Sequence, residues 1–188
     1  ITGSESNDTL HGYDDQENIL RGLEGDDKIY GRVGNDLLYG DAGNDLLEGG
    51  NGNDTLVGGQ GNDTLRGGYG NDLYVFNKGD GVDYIEECEG NDTIQFGEGI
   101  TLKDLKFFRY DSSGRSLHIA VGDNGDAISI AKYFNDGNYS HPTDTFKVER
   151  FLLSDGTVID SSYIYEQVRT ITGSESNDTL HGYDDQEN

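Results

Sequence analysis

Six aspartates recur at intervals of nine residues in the first half of the chain. Each is the sixth residue of a nine-residue unit, and the units follow one another without a gap from Gly22 to Val75. The six are Asp27, Asp36, Asp45, Asp54, Asp63 and Asp72. Turn propensity explains an Asn or Asp somewhere in a loop, but not Asp at one fixed position in every unit. Carboxylates are hard ligands, so these six residues are candidate ligands for a hard cation that accepts about six to eight oxygens.

Glycine also occupies fixed positions in these units. Position one is Gly22, Gly31, Gly40, Gly49, Gly58 or Gly67, and position four is Gly25, Gly34, Gly43, Gly52, Gly61 or Gly70. The last three units add glycine at position two, as Gly50, Gly59 and Gly68. Glycine tolerates positive φ and the close approach of another backbone. We therefore expect the glycines at positions one and four to form tight turns that leave backbone carbonyl groups accessible.

A period of nine fits neither a helix nor a long strand. It favours a six-residue turn followed by a three-residue strand, repeated as a solenoid. Position eight is large in every unit, and strand alternation would turn it inward. These inward residues are Ile29, Leu38, Leu47, Leu56, Leu65 and Tyr74. The residues at position five are predicted to be turn formers that face water: Asp26, Asn35, Asn44, Asn53, Asn62 and Asn71.

The unit GGxGxDxUx resembles the nonapeptide of the RTX (repeats-in-toxin) family, the haemolysin-type calcium-binding repeat. The match is clean over residues 22–75. The resemblance implies an all-β fold, a calcium-binding parallel β-roll in which two nonapeptides make one coil. It also implies the ligands, which are the six aspartates and the backbone carbonyl groups of positions one to four, including those of the glycines above.

Two units per coil would place equivalent loops on the same edge of the roll. One edge carries Asp27, Asp45 and Asp63, and the other carries Asp36, Asp54 and Asp72. Adjacent coils lie roughly 4.8 Å apart, and carboxylates about 5 Å apart repel by roughly 3 kcal/mol at an effective dielectric near 20. We therefore expect the roll to be disordered without calcium and to fold when calcium binds, because metal binding then supplies folding free energy.

Degenerate copies of the unit flank the clean repeats. Residues 1–21 are interpreted as the first coils, where Asp8 is retained but Asn18 stands in place of aspartate. Residues 76–96 are interpreted as closing coils, with Asp83 and Asp92 again nine apart. These four side chains are further candidate ligands, and Asn18 is the one that brings no charge.

Residues 97–170 are predicted to form a mostly antiparallel β capping domain. Alternating segments such as SLHIAV and FKVERFLL indicate strands, and Asp160 is the expected N-cap of a short C-terminal helix. The predicted core is Phe96, Leu105, Phe107, Phe108, Ile119, Ile128, Ile130, Phe134, Phe146 and Phe151. The order of these segments resembles the region that follows the roll in haemolysin-type calcium-binding domains. A solenoid needs such a cap over its last coil.

Composition excludes several classes of function. Thirteen Lys and Arg against 37 Asp and Glu leave a net charge of −24, so nucleic acid and anionic membranes are poor partners. The single cysteine, Cys88, allows no internal disulfide, and three neighbouring glutamates disfavour its thiolate. No apolar run is long enough to span a membrane. His118 and His141 have no paired nucleophile, so we expect no enzyme.

Residues 1–18 recur letter for letter at 171–188. The copy predicts a unit of about 170 residues repeated in tandem, with 171–188 as the poorly ordered start of the next unit.

The RTX resemblance implies a structural module of a large bacterial protein, secreted or on the cell surface and exported by a type I-like system. Two alternatives remain. The cap could bind a glycan or a protein, as in an adhesin, or the module could assist a distant enzyme.

Overall fold

The computed structural model describes residues 1–110, 115–134 and 148–169, which are nearly all β. The roll strands are β1 Thr9–His11, β2 Ile19–Glu24, β3 Lys28–Val33, β4 Leu37–Ala42, β5 Leu46–Asn51, β6 Thr55–Gln60, β7 Thr64–Tyr69, β8 Leu73–Phe76, β9 Val82–Glu86 and β10 Asp92–Phe96. The later elements are β11 Leu105–Tyr110, β12 Ser116–Val121, β13 Asp126–Ile130, β14 Val148–Leu152, β15 Val158–Asp160 and helix α1 Ser161–Arg169. A short 3-10 turn, Leu102–Asp104, precedes β11.

Successive nonapeptides alternate between two sheets. One sheet has the order β1-β3-β5-β7-β9-β13-β12-β11, and the other has the order β15-β14-β10-β8-β6-β4-β2. All pairings from β1 to β10 are parallel, and Leu47 pairs with Leu65, the residue eighteen positions later. Two nonapeptides therefore complete one coil, which confirms the predicted parallel β-roll.

The core of the roll is the row of position-eight side chains between the two sheets. Ile29, Leu38, Leu47 and Leu56 are 0 % exposed, and Tyr74 ends the row at 1 %. This burial confirms the predicted inward face. Each such aliphatic side chain contributes about 1.5–3 kcal/mol when it is removed from water.

The strands are longer than predicted. A three-residue strand is expected from the sequence, but the strands from β2 to β7 have six residues each, and β5 continues through Gly49 and Gly50. Gly50 pairs in register with Arg32 and Gly68. The pairing between coils thus includes positions one to three, and only positions four to six form the turn.

Positive φ occurs at positions two and four of the unit, not at position one as expected. Gly43 at position four has φ +142°, and an added Cβ would overlap the carbonyl oxygen of Gly25 in the adjacent coil. At position two even Arg32 has φ +83°. The position-one glycines lie outside the left-handed region. A Cβ at these positions would instead lie against the aspartate carboxylate of the same unit.

The region after the roll continues both of its sheets. Strands β11, β12 and β13 form an antiparallel meander, and β13 adds in parallel to β9. On the other sheet β14 adds in parallel to β10, and β15 pairs antiparallel with β14. Helix α1 begins where expected, since the Asp160 carboxylate accepts a hydrogen bond from the backbone N–H of Tyr163 at 2.9 Å. The cap is therefore partly antiparallel and is joined to the roll by hydrogen bonds.

Most of the predicted cap core is buried, with one error. Phe107 is 8 % exposed, whereas Phe108 is 48 % exposed. Adjacent residues of a strand face opposite sides of the sheet, so only one of the two can enter the core. Phe146, His141 and the predicted poorly ordered copy 171–188 lie outside the described residues. Within the described part of the chain, no helix is both long and apolar enough to cross a membrane.

Replacing Gly43 by alanine should destabilise the roll, because the new Cβ would overlap the Gly25 carbonyl oxygen at a left-handed φ. Left-handed strain and overpacking each cost roughly 1–3 kcal/mol. Gly43→Ala should therefore lower the free energy of unfolding by about 3 kcal/mol, measured by chemical denaturation in saturating calcium.

The matched control is Gly79→Ala, because Gly79 also has a positive φ, +89°, but a Cβ there would meet nothing within 4 Å. This variant should keep only the left-handed strain and cost about 1–2 kcal/mol. Equal losses in the two variants would show that the contact between coils does not limit residue size at position four.

Candidate metal centre

Two rows of aspartates run along the edges of the roll, one on each edge. The backbone N–H of Asp27 donates to Oδ1 of Asp45 at 2.8 Å, and that of Asp45 donates to Oδ1 of Asp63 at 2.8 Å. On the other edge the N–H of Asp36 donates to Asp54 Oδ1 at 2.7 Å. Each aspartate thus accepts a hydrogen bond from the coil before it, and the two edges have the predicted composition.

The second oxygen of each carboxylate lacks a partner. Oδ2 is buried and has no hydrogen-bond partner among the described residues in Asp27, Asp36, Asp45, Asp54, Asp63 and Asp72. A buried charged oxygen without a partner is costly, so such groups are normally paired or coordinate a metal. The row of unpaired oxygens is the feature of the site that calls for a cation.

The position-one glycines leave open the space that these oxygens face. A Cβ added to Gly22 would overlap Asp27 Oδ2 and lie 2.7 Å from the carbonyl oxygen of Gly40. A Cβ on Gly31 would lie 2.6 Å from Asp36 Oδ2 and 2.6 Å from the Gly49 carbonyl oxygen. A carboxylate oxygen and a carbonyl oxygen of the next coil therefore converge on one space. Such all-oxygen donor sets fit calcium.

Burial shifts the titration of these carboxyl groups. It raises the pKa of Asp63 and Asp72 to about 7, and that of Asp45 and Asp54 to about 6. Burial and then the charge of Asp63 raise the pKa of Asp83 to about 8. The hydrogen bond from the neighbouring coil opposes this effect but does not cancel it. Without a cation, these aspartates are therefore partly protonated near neutral pH.

The four flanking candidates lie in the same rows. The N–H of Asp8 donates to Asp27 Oδ1 at 2.7 Å, and the N–H of Asn18 donates to Asp36 Oδ1 at 2.7 Å. At the other end, Asp83 accepts from the N–H of Asp63 at 3.1 Å and Asp92 accepts from that of Asp72 at 2.8 Å. Each degenerate coil thus keeps its place in the row.

The first coil differs from the clean repeats in how its side chains are satisfied. Oδ2 of Asp8 accepts hydrogen bonds from the N–H and the hydroxyl of Ser4, at 2.6 and 2.9 Å. The Asn18 side-chain amide donates to the carbonyl oxygen of Gln16 at 2.9 Å. Neither side chain has the unpaired buried oxygen that marks the six central aspartates.

The position-five side chains are exposed, as predicted, but they also join the coils. The N–H of Asn53 donates to Asn35 Oδ1 at 2.8 Å, and the N–H of Asn71 donates to Asn53 Oδ1 at 2.7 Å. Here the side chain accepts from the coil after it, whereas the aspartates accept from the coil before. Each turn is therefore tied in both directions.

Two glutamates of the rows were not identified from the sequence. The N–H of Asp92 donates to Oε2 of Glu149 at 2.7 Å, although 57 residues separate them, and no local pattern indicates this contact. Glu87 is 6 % exposed, and burial and then the charge of Asp92 raise its pKa to about 8. Glu87 could have been found by counting, since it stands five residues before Asp92, at position one of that unit.

His118 lies on β12, and Cys88 directly follows Glu87 in the chain. His118 is half-buried with Nδ1 2.9 Å from the Ser129 hydroxyl, and burial lowers its pKa. Cys88 is an exposed residue. Partial burial of its thiol, and then the charge of Glu87, raise the pKa of that thiol. The direction agrees with the expectation that the thiolate is disfavoured.

Comparison with protein families finds the RTX calcium-binding nonapeptide repeat in four copies, at residues 1–19, 14–47, 48–84 and 170–186. Together these copies cover more than half of the 188 residues. The haemolysin-type calcium binding protein related domain matches residues 117–163. No curated protein matches the chain.

A parallel β-roll with buried rows of aspartates and open glycine turns is a calcium-binding module of the solenoid class. The chain belongs to the RTX calcium-binding nonapeptide repeat family, and a haemolysin-type related domain follows its repeats. The family resemblance of the sequence is thereby confirmed. The repeat is a structural calcium-binding unit that is not known to be catalytic, and it is typical of exported bacterial proteins.

Calcium and protons should compete for the buried carboxylates. The folded-state pKa values of Asp63, Asp72 and Asp83, about 7 to 8, exceed the unfolded value of about 3.9. Their contribution to stability is therefore full below about pH 4 and is lost as pH rises through 7 to 8. Calcium-free protein should gain β signal from pH 8 to pH 5, measured by circular dichroism.

The calcium midpoint should move the other way, rising as the pH falls from 8 to 6, because protons must leave before calcium binds. The same titration at pH 8 and pH 6 measures it. A midpoint that does not depend on pH would contradict calcium ligation by these aspartates.

Proposed function

We propose that this chain is a calcium-dependent folding module of a large exported bacterial protein. It is unfolded where calcium is scarce and forms its roll where calcium is plentiful. The observation that carries the proposal is the two rows of buried carboxylate oxygens, six in all, that have no hydrogen-bond partners among the described residues. When the six carboxylates are ionised, folding buries these charged oxygens, and each then needs a counter-ion.

The ligands that we assign are the six central aspartates and the carbonyl groups of the glycine turns. Asp83 and Asp92 have the same place in the rows and extend the assignment, while Asp8 and Asn18 contribute more weakly because other groups already satisfy them. Calcium suits a flexible set of carbonyl and carboxylate oxygens. Magnesium suits it less, because it demands a tight octahedron and retains its water.

Calcium would act by neutralising and linking adjacent coils. The chain carries a net charge of −24. The carboxylate of each central aspartate lies about one strand spacing from that of the aspartate in the adjacent coil. A divalent ion between two such groups replaces repulsion by ligation. Because the coils form the site only when they are stacked, the free energy of binding becomes free energy of folding.

Export follows from the calcium requirement together with the family. Extracellular modules use weak calcium sites, with dissociation constants of about 10⁻⁴–10⁻³ M. A module of this affinity stays unfolded in a calcium-poor cytosol, which suits passage through a type I-like secretion system. The negative charge keeps the unfolded chain soluble.

The module is proposed to act as a stiffening segment of a tandem array. Residues 1–18 and 171–188 are identical, and the repeat family matches both stretches. In such an array, the capping region 97–170 of one unit precedes the first coil of the next. Neighbouring units are then the partners of each module, alongside calcium.

The adhesin alternative needs a ligand face on the cap, and the described residues favour the structural role. The exposed aromatic side chains of the described cap are Phe108 and Tyr163. Tyr163 packs edge-on against Phe107, whose neighbour Phe108 points to the other face of β11. The two side chains therefore form no common patch for a glycan or protein ligand.

Calcium should fold the chelator-stripped protein cooperatively, and magnesium should not. Asp45→Asn keeps the shape and the Oδ1 acceptor for the Asp27 N–H but removes the charge. This variant should raise the calcium midpoint about tenfold, which corresponds to about 1.4 kcal/mol. Far-ultraviolet circular dichroism during titration measures the midpoint.

Asp123→Asn is the matched control, because it makes the same change at a side chain that is 95 % exposed. Its midpoint should equal that of the unaltered protein. A chain that is already folded in chelator at pH 8, or that magnesium folds equally well, would refute the proposal.

A further inference from the structure

The last coil departs from the repeats at position one. Arg66 pairs with Glu86, so the next residues, Gly67 and Glu87, occupy the same place in successive coils. On the other edge Val57 pairs with Val75, which places Phe76 at the position of Gly58. One row of glycine turns thus ends in an apolar ring, and the other ends in a carboxylate.

Glu87 brings its carboxylate against the aspartates of two coils. Ligand oxygens of Asp72, Glu87 and Asp92 all lie within 4.8 Å of one another. The three residues are 2, 6 and 1 % exposed, in that order. No ion pair between described residues includes any of the three.

An unpaired oxygen faces this cluster. Oδ1 of Asp72 accepts the Asp54 N–H at 2.8 Å, but its buried Oδ2 has no partner among the described residues. A Cβ on Gly67 would overlap that Oδ2 and lie 2.6 Å from the Tyr74 hydroxyl. The same hydroxyl donates to Glu87, so the unpaired oxygen of Asp72 and the Glu87 carboxylate lie near the same hydroxyl group.

Tyr74 holds Glu87 in place. Its hydroxyl accepts the N–H of Gly67 at 2.7 Å and donates to Oε1 of Glu87, while Oε2 accepts the N–H of Cys88 at 3.1 Å. Each carboxylate oxygen can accept more than one bond, so these contacts orient the group without using up its capacity as a ligand.

We propose that Asp72, Glu87 and Asp92 form a distinct calcium site that ends one row of the roll. The inference rests on the proposed calcium-dependent folding and adds a site with a different ligand set. Two successive aspartates contribute to a repeat site, whereas three carboxylates meet here. Affinity for calcium rises with ligand charge, so this site binds calcium more tightly than the repeats and also takes trivalent Tb³⁺.

The test is calcium titration of the full chain by calorimetry, with Glu87→Gln as the variant. The tightest binding phase should weaken at least tenfold, because Gln keeps the shape but lacks the charge. Tb³⁺ is the second probe. The chain has no Trp, so tyrosine excitation should sensitise Tb³⁺ in the unaltered protein, and the tightest phase of that signal should be lost in the variant.

Glu89→Gln is the control, since Glu89 is an exposed glutamate of the same loop and should leave both signals unchanged. Should Glu87→Gln fail to fold in saturating calcium, Glu87→Gly decides the matter, because glycine is the residue that the repeats carry at this position. Glu87→Gly should weaken the tightest phase in the same way.

Two results would overturn the site. A tightest phase unchanged by loss of the Glu87 carboxylate would exclude it as a ligand, and tighter binding would show that it fills the space in place of an ion. In both cases calcium-dependent folding of the unaltered protein would leave the proposed function standing. Failure of the unaltered protein to bind calcium would overturn both proposals.

Discussion

The roll depends on one arrangement, a buried carboxylate with one oxygen bonded to the neighbouring coil and the other without a partner among the residues that the structure describes. The bonded oxygen sets the register, since in Asp45, Asp54, Asp63 and Asp72 it accepts the N–H of the aspartate eighteen residues earlier. The second oxygen faces the space beside a position-one glycine. The side chains therefore leave a space beside each glycine that a cation can enter.

The two side chains of each turn have opposite and complementary tasks. The aspartate at position six accepts from the preceding coil and is buried, while the Asn at position five accepts from the following coil and is exposed. Backbone N–H groups that a turn would otherwise leave unpaired are thus satisfied by side chains. This explains why the pair Asn-Asp recurs as a unit, which turn propensity alone accounts for only in part.

The repeat made much of the fold predictable from sequence, because every coil is specified by its own nine residues. The inward row followed from strand alternation, and the two aspartate edges followed from the spacing together with the two units per coil that the family resemblance implies. Strand length did not, since glycine has low strand propensity, and Gly50 belongs to its strand through pairing with Arg32 and Gly68 of other coils. Glu149 could not be found, because its contact with Asp92 arises from a parallel pairing of distant strands. Phe108 was misplaced because two adjacent Phe residues leave open which one faces the core.

The continuation of both sheets into the cap has a mechanical consequence. Strand β13 adds to β9 and β14 adds to β10, so two ladders of backbone hydrogen bonds cross the boundary side by side. Bending at this boundary would shear both ladders at once, whereas a single peptide linker would yield freely. Force applied to the described part of the cap is therefore transmitted to the roll through its sheets, and the boundary behaves as a rigid joint.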